Sequence, residues 1–98
     1  MTRPVDFRPE AVDEVDAAYE WYEEQRAGLG EEFLATLVSR LDEIQASPEG
    51  WAILYRGIRA CPMRRFPYII YFRVMPDRIN VVAVHHGHRS PRAWRSRA

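Results

Sequence analysis

Apolar and polar positions follow two rhythms along this chain, a period of three to four residues in the first half and a period of two in the second. Val5-Asp6-Phe7 alternates apolar and polar and predicts a short first strand. Pro9 suits the first turn of a helix, and Glu10 and Asp13 favour its positive N-terminal end. Val12, Val15, Tyr19 and Tyr22 then recur at helical spacing, which predicts a helix to about Arg26 with those four side chains on its core face. Gly28-Leu29-Gly30 supplies the break. Glu31 and Glu32 open a second helix whose apolar set is Phe33, Leu34, Leu37, Val38, Leu41 and Ile44, ended by the turn chemistry of Ser47-Pro48-Glu49-Gly50. So short a connector predicts an antiparallel helical hairpin.

Beyond that turn the period becomes two. Ile53 to Cys61 reads as a weak strand interrupted at Gly57, and Tyr68 to Val74 as a strong one. Met75-Pro76-Asp77-Arg78 is a turn. Ile79 to His86 is β-branched and nearly all apolar, as a central strand buried on both faces is. The predicted order is β-α-α-β-β-β, an α+β fold in which the later strands meander and the helical hairpin covers one sheet face.

Composition adds limits to this outline. A chain of 98 residues, 47 % hydrophobic and 29 % charged, is expected to form one domain over residues 1–98. No apolar run is long enough to span a membrane, and the first residues lack the apolar stretch of a signal peptide, so a cytoplasmic protein without a membrane partner is expected. The single cysteine, Cys61, fits a reducing compartment. Phosphate-binding glycine loops and nucleophile elbows are missing. His85, His86 and His88 have one nearby acid, Asp77, too few donors for a metal, and no cofactor is expected.

Charge changes the picture more. The formal net charge is zero, but residues 1–49 hold four arginines against thirteen acids, a net of −9, while residues 50–98 hold ten arginines and one acid, a net of +9. All fourteen basic residues are arginine, a bias that codon usage alone can produce. The segregation is more informative, because a surface of one sign attracts polyanions or acidic partners. Glu20, Glu23 and Glu24 read as a solvated helix face, and Tyr19, Trp21 and Tyr22 as packing. Arg56, Arg59, Arg64, Arg65, Arg73, Arg89, Arg92, Arg95 and Arg97 surround the later strands, and part of this set is expected to converge on one sheet face or its rim. Strand alternation puts Tyr71 and Arg73 together, opposite Tyr68, Ile70 and Phe72, so Tyr71 and Arg73 are expected to face outward. Guanidinium groups beside an aromatic ring suit RNA, although arginines also simply solubilise an exposed face.

Five motifs in order resemble the RelE/ParE superfamily of type II toxins. They are Asp6-Phe7-Arg8-Pro9-Glu10-Ala11, Trp21-Tyr22-Glu23-Glu24-Gln25, Gly28-Leu29-Gly30-Glu31-Glu32-Phe33, Phe66-Pro67-Tyr68 and the closing run Val82 to Trp94. The resemblance implies a toxin neutralised by a cognate antitoxin whose C-terminal segment wraps it. RelE-like members cleave mRNA in the ribosome, whereas ParE-like members poison DNA gyrase. No tyrosine follows Tyr71, so the C-terminal tyrosine of the RelE type has no counterpart, and the Trp-Tyr and Gly-Leu-Gly motifs look more like the ParE side. The leading expectation is a ParE-like gyrase inhibitor that acts by binding. The alternatives are a ribosome-dependent endoribonuclease and a non-toxic antitoxin-binding module. For a ribonuclease, His86 is the acid/base candidate, with Arg65, Arg89 and Arg59 as phosphate clamp and Tyr71 stacking or assisting proton transfer. For binding to target or antitoxin, the candidates are Arg59, Arg65, Tyr71, Arg73, Arg89 and Arg92.

Overall fold

The computed structural model describes residues 2–98. Its elements are β1 (Val5–Phe7), α1 (Pro9–Gln25), α2 (Leu29–Ala46), a 3-10 turn (Pro48–Gly50), β2 (Ile53–Tyr55), β3 (Ile58–Pro62), β4 (Tyr68–Val74), β5 (Ile79–His86) and α3 (Arg92–Arg95). The strands make one sheet in the order β1-β5-β4-β3-β2, antiparallel except where β1 runs parallel to β5. This is the expected α+β arrangement of a helical hairpin on a sheet. Ile53 to Cys61 proves to be two strands rather than one. Arg56 and Gly57 take φ of 44° and 80°, making a two-residue hairpin turn of the mirror-image kind that matches strand twist. Among the described residues no helix is long and apolar enough to cross a membrane.

The helices bury Ala11, Ala18, Tyr22, Phe33, Leu37 and Ile44 against Cys61, Phe66, Ile70, Phe72, Val81 and Val84 of the sheet side. The buried face of α1 is rotated from the expected one. Ala11 and Ala18 are buried, Val12 is 44 % exposed, and the Tyr19 hydroxyl reaches the surface to donate to Glu31 at 2.8 Å. Small alanines let the helix lie close to β5, a signal that large-residue periodicity overlooks. On α2, Val38 is likewise exposed.

The Gly-Leu-Gly connector also differs from expectation, because α2 already starts at Leu29. Gly28 takes φ of 89°, and Gly30 is buried where an added Cβ would lie 2.8 Å from the Tyr19 carbonyl oxygen. Glu23, expected on a solvated face, instead accepts the Gly28 and Gly30 amides at 3.2 and 2.7 Å. It thereby satisfies amides that the first turn of α2 leaves unpaired.

Behind the sheet lies a second, smaller core of Ile58, Tyr71, Val82, Ala83 and Trp94. Trp94 is the inward side chain of α3 and stacks on Tyr71, with ring centroids 4.5 Å apart and planes 16° from parallel. β5 is therefore buried on both faces, as its composition predicts: Val81 and Val84 face the helices, Val82 and Ala83 face α3.

Candidate functional site

β1 is short, and its pairing with β5 ends at Phe7 opposite Val81. From there β5 has an open edge, and a bulge between Tyr71 and Phe72 of the partner strand leaves Val82 unpaired in the register. Glu14 of α1 and Arg97 from the chain's end take the place of a strand. Glu14 accepts the Val84 amide at 3.2 Å, and Arg97 donates to the Val82 carbonyl at 3.0 Å. The two side chains also pair in a bidentate fork of 3.0 and 2.9 Å. Arg89 adds a contact to the same carboxylate at 3.2 Å, and His85 a fourth at 2.5 Å. Glu14 and Arg97 side chains are each only 14 % exposed, so this is a largely dehydrated polar hub holding the C-terminal segment to the sheet.

Protonation follows from these contacts. A carboxylate only accepts, so His85 donates from Nε2, and its buried Nδ1 has no partner. Burial lowers the His85 pKa below 6.5, because a second ring proton would be buried unsatisfied; the opposing pull of Glu14 is the smaller effect. For Glu14, burial pushes the pKa upward, but the hydrogen bonds from Arg97 and the Val84 amide together with the His85 and Arg97 charges outweigh it and hold the carboxyl below 4.5. Both groups bind protons more readily unfolded than folded. Stability is accordingly expected to fall as pH drops below about 6.5, through His85, and more steeply below about 4.5, through Glu14. Urea midpoints measured from pH 8 to 4 check this, and His85→Gln should flatten the upper part of the decline. A midpoint that rises on going from pH 7 to 5 contradicts the assignment.

Many of the remaining arginines are spent on internal pairing. Among the described residues nine of the fourteen contact a carboxylate, and Arg64, Arg65, Arg78, Arg89 and Arg97 of the basic half do so with Glu43, Glu32, Asp6 and Glu14 of the acidic half. The charge split along the chain is therefore partly cancelled in space. Among the described residues Arg56, Arg59, Arg73, Arg92 and Arg95 have no acidic partner. Arg59 points to the helix side, donating to the Trp51 carbonyl at 2.6 Å and to that of Glu49 at 3.2 Å. Arg73 donates to the Arg56 carbonyl at 3.0 Å, while the Arg56 and Arg95 guanidiniums lie 5.2 and 5.1 Å from the Tyr55 ring centre.

Part of the arginine set gathers on one sheet face, around Tyr55 and α3, while the candidate site residues fall in three separate places. Tyr71, Arg73 and Arg92 belong to the sheet face carrying α3, but Tyr71 is buried beneath Trp94 rather than facing outward. Arg59 and Arg65 lie toward the helices. Arg65 pairs with Glu32 at 2.6 Å and takes φ of 69°, with the Phe66 amide donating across it to the Arg64 carbonyl at 2.8 Å. That tight turn is strained by about 1–3 kcal/mol. His86 and Arg89 sit at the end of β5. His86 Nδ1 accepts the His88 amide at 3.2 Å, and its ring borders a cleft with Trp21, Tyr22, Pro67 and Tyr68. Trp21 is 55 % exposed there, not packed as the sequence implies.

Sequence reasoning missed Glu14 as the hub and Tyr55 as the ring between arginines. A signal for Glu14 exists: it lies three residues after Ala11 and four before Ala18, an acid on a small-residue helix face. Among the described residues no group of three or more His, Cys, Asp or Glu is placed to hold a metal ion. Cys61 is buried, and burial pushes its thiol up to about 11, so it remains an inert thiol.

Residues 5–91 match the family model of the ParE toxin of type II toxin-antitoxin systems, parDE. The chain belongs to that family. No curated protein sequence matched it. A solved structure of a chromosomal ParDE toxin-antitoxin system from P. aeruginosa is similar in fold, with a TM-score of 0.75 and 18 % identity over 87 % of this chain and 96 % of that one. The family match takes in Glu14, Arg56 and Arg73 of this ParE-family toxin. It stops just before α3, so Trp94, Arg95 and Arg97, which close the second face and the hub, lie beyond the matched stretch.

Proposed function

We propose that this toxin arrests growth in the cytoplasm by binding DNA gyrase, and that a cognate antitoxin neutralises it by covering its surface. The observation that carries binding over turnover is the state of the candidate catalytic arginines. Arg65 is held by Glu32 at 2.6 Å and Arg89 by Glu14 at 3.2 Å. Cleavage of RNA is served by cations aimed at the charge that develops on the phosphorane, and these two are aimed at carboxylates. Among the described residues Arg59, the third arginine of the expected phosphate clamp, has no acid partner but donates to the Trp51 and Glu49 carbonyls, and Arg56 and Arg95 lie against Tyr55, whose ring contacts include no titratable base. The ParE family match supports the gyrase target.

Purified toxin added to gyrase and relaxed plasmid should abolish supercoiling in proportion to the toxin-to-gyrase ratio, independently of incubation time. Gyrase that supercoils normally with toxin in excess rejects the target. In a translating extract, primer extension should show no new mRNA ends. Discrete cuts that vanish in His86→Ala would establish the ribonuclease reading instead.

A further inference from the structure

We propose that the sheet face carrying Arg56, Arg73, Arg92 and Arg95 is a contact surface for the phosphate backbone of double-stranded DNA. Among the described residues these four guanidiniums have no carboxylate partner, and the only acid in residues 50–98 is Asp77, which is drawn to Arg78. The acidic surfaces of α1 and α2 cover the opposite side of the sheet, so the molecule is polar across its thickness. A polyanion is attracted to one side and repelled by the other.

The aromatic rings of this face favour duplex backbone over single strands. Binding of unpaired bases relies on aromatic rings that are open to stack. Here Trp94 and Tyr71 are stacked on each other and buried, at 3 % and 7 % exposure. Tyr55 already has two guanidiniums against its ring and a T-shaped contact with Trp94, ring centroids 6.3 Å apart. The rings therefore serve the arginines. They hold long, flexible side chains in place, lowering the entropy lost when phosphates are gripped. Arg92, two positions before the inward Trp94 on α3, stands on the solvent side of that helix.

This surface rests on the gyrase reading only for the source of the DNA, which is the segment the enzyme holds. A toxin with such a face engages gyrase with its DNA in place. The backbone strain at Arg56, φ of 44°, marks the same spot: asparagine or glycine is easier there, yet arginine holds the position.

Fluorescence anisotropy of a labelled 20-base-pair duplex with the full chain tests the proposal over 50 to 200 mM salt. Four phosphate contacts predict a log–log slope of about −3.6 and a loss of affinity on the order of 10²-fold across that range. Arg56→Asn with Arg95→Gln should reduce the slope by about 2. Asparagine suits the turn, so that variant should fold, as circular dichroism will show. Arg64→Gln removes one positive charge on the helix side and should leave the slope unchanged. Duplex binding that is absent at 50 mM salt, or whose slope is the same in the double variant, overturns the proposal. So does tighter binding of the matching single strand, or binding of poly-glutamate without binding of duplex. Gyrase assays on the same proteins separate the two readings. If wild-type toxin leaves gyrase active but binds duplex as described, the target is wrong and the DNA face is supported. If wild type and double variant inhibit gyrase equally and bind duplex equally, the DNA face is wrong and the target holds.

Discussion

Glu14→Ala is expected to destabilise this toxin by about 3–5 kcal/mol, because it strands Arg97 in a largely dehydrated site and removes the acceptor of the Val84 amide. A chain of this size has about 5–15 kcal/mol of stability in all, so the loss is a large part of it. Urea denaturation by circular dichroism gives the number directly. Glu14→Gln keeps the shape and an acceptor oxygen, and should cost less, about 1–3 kcal/mol. Because the carboxylate anchors Arg97, the C-terminal segment should loosen in the alanine variant, and quenching of Trp94 by acrylamide reports this at its buried ring. The pairing itself is tested by a double-mutant cycle with Arg97→Ala, expected to give a coupling of about 0.5–3 kcal/mol. A single-variant cost below 1 kcal/mol, or no coupling, would mean that water replaces the carboxylate and that the open edge of β5 needs no substitute strand.

The same hub shows why part of the fold was legible and part was not. Tyr68 to Val74 and Ile79 to His86 announce themselves because a buried strand is a local pattern: each residue's burial follows from its own side chain and its neighbours' period. The helical hairpin is legible for the same reason. The rotation of α1 was not, because the residues that decide it are Ala11 and Ala18, whose small size matters only once β5 lies against them. Arg97 shows the limit of charge counting. Read along the chain it is one more cation in a basic half, but in space it belongs to Glu14, 83 positions away. Pairing across such distances is invisible to a sum over segments, and it removes five of ten arginines from the set free to meet a partner. What survives is Arg59 on the helix side and a smaller group on the α3 face with Arg56 and Arg95 at Tyr55, whose place is hidden in the sequence because Gly57 signals only an interruption in one strand. Alternation puts Tyr71 on the right sheet face but cannot show that it is covered, since nothing in its own strand tells that a four-residue helix will return over it.

Phe33→Ala is the second change expected to have a large effect, about 3–5 kcal/mol. Phe33 is completely buried where the hairpin meets the sheet, with Tyr22, Phe66 and Tyr68 rings centred 5.4, 5.4 and 5.3 Å from its own. It therefore joins both helices to the start of β4, and a cavity there cannot collapse without moving three other rings. Phe66 is also the base of the strained turn at Arg65, whose guanidinium lies 5.2 Å from that ring. Loss of Phe33 should free this turn, so the Arg65 to Glu32 contact weakens together with the core, and thermal unfolding should become less cooperative as well as earlier. Phe33→Leu, which leaves a smaller cavity, should cost less than half as much. A partner that binds only the folded toxin shifts the balance back, by about 4 kcal/mol when present at a thousand times its dissociation constant. The alanine variant is accordingly expected to be largely unfolded or degraded alone at 37 °C and close to wild type when made together with its antitoxin. If it is as stable as Phe33→Leu without the antitoxin, the aromatic cluster is not the joint between hairpin and sheet.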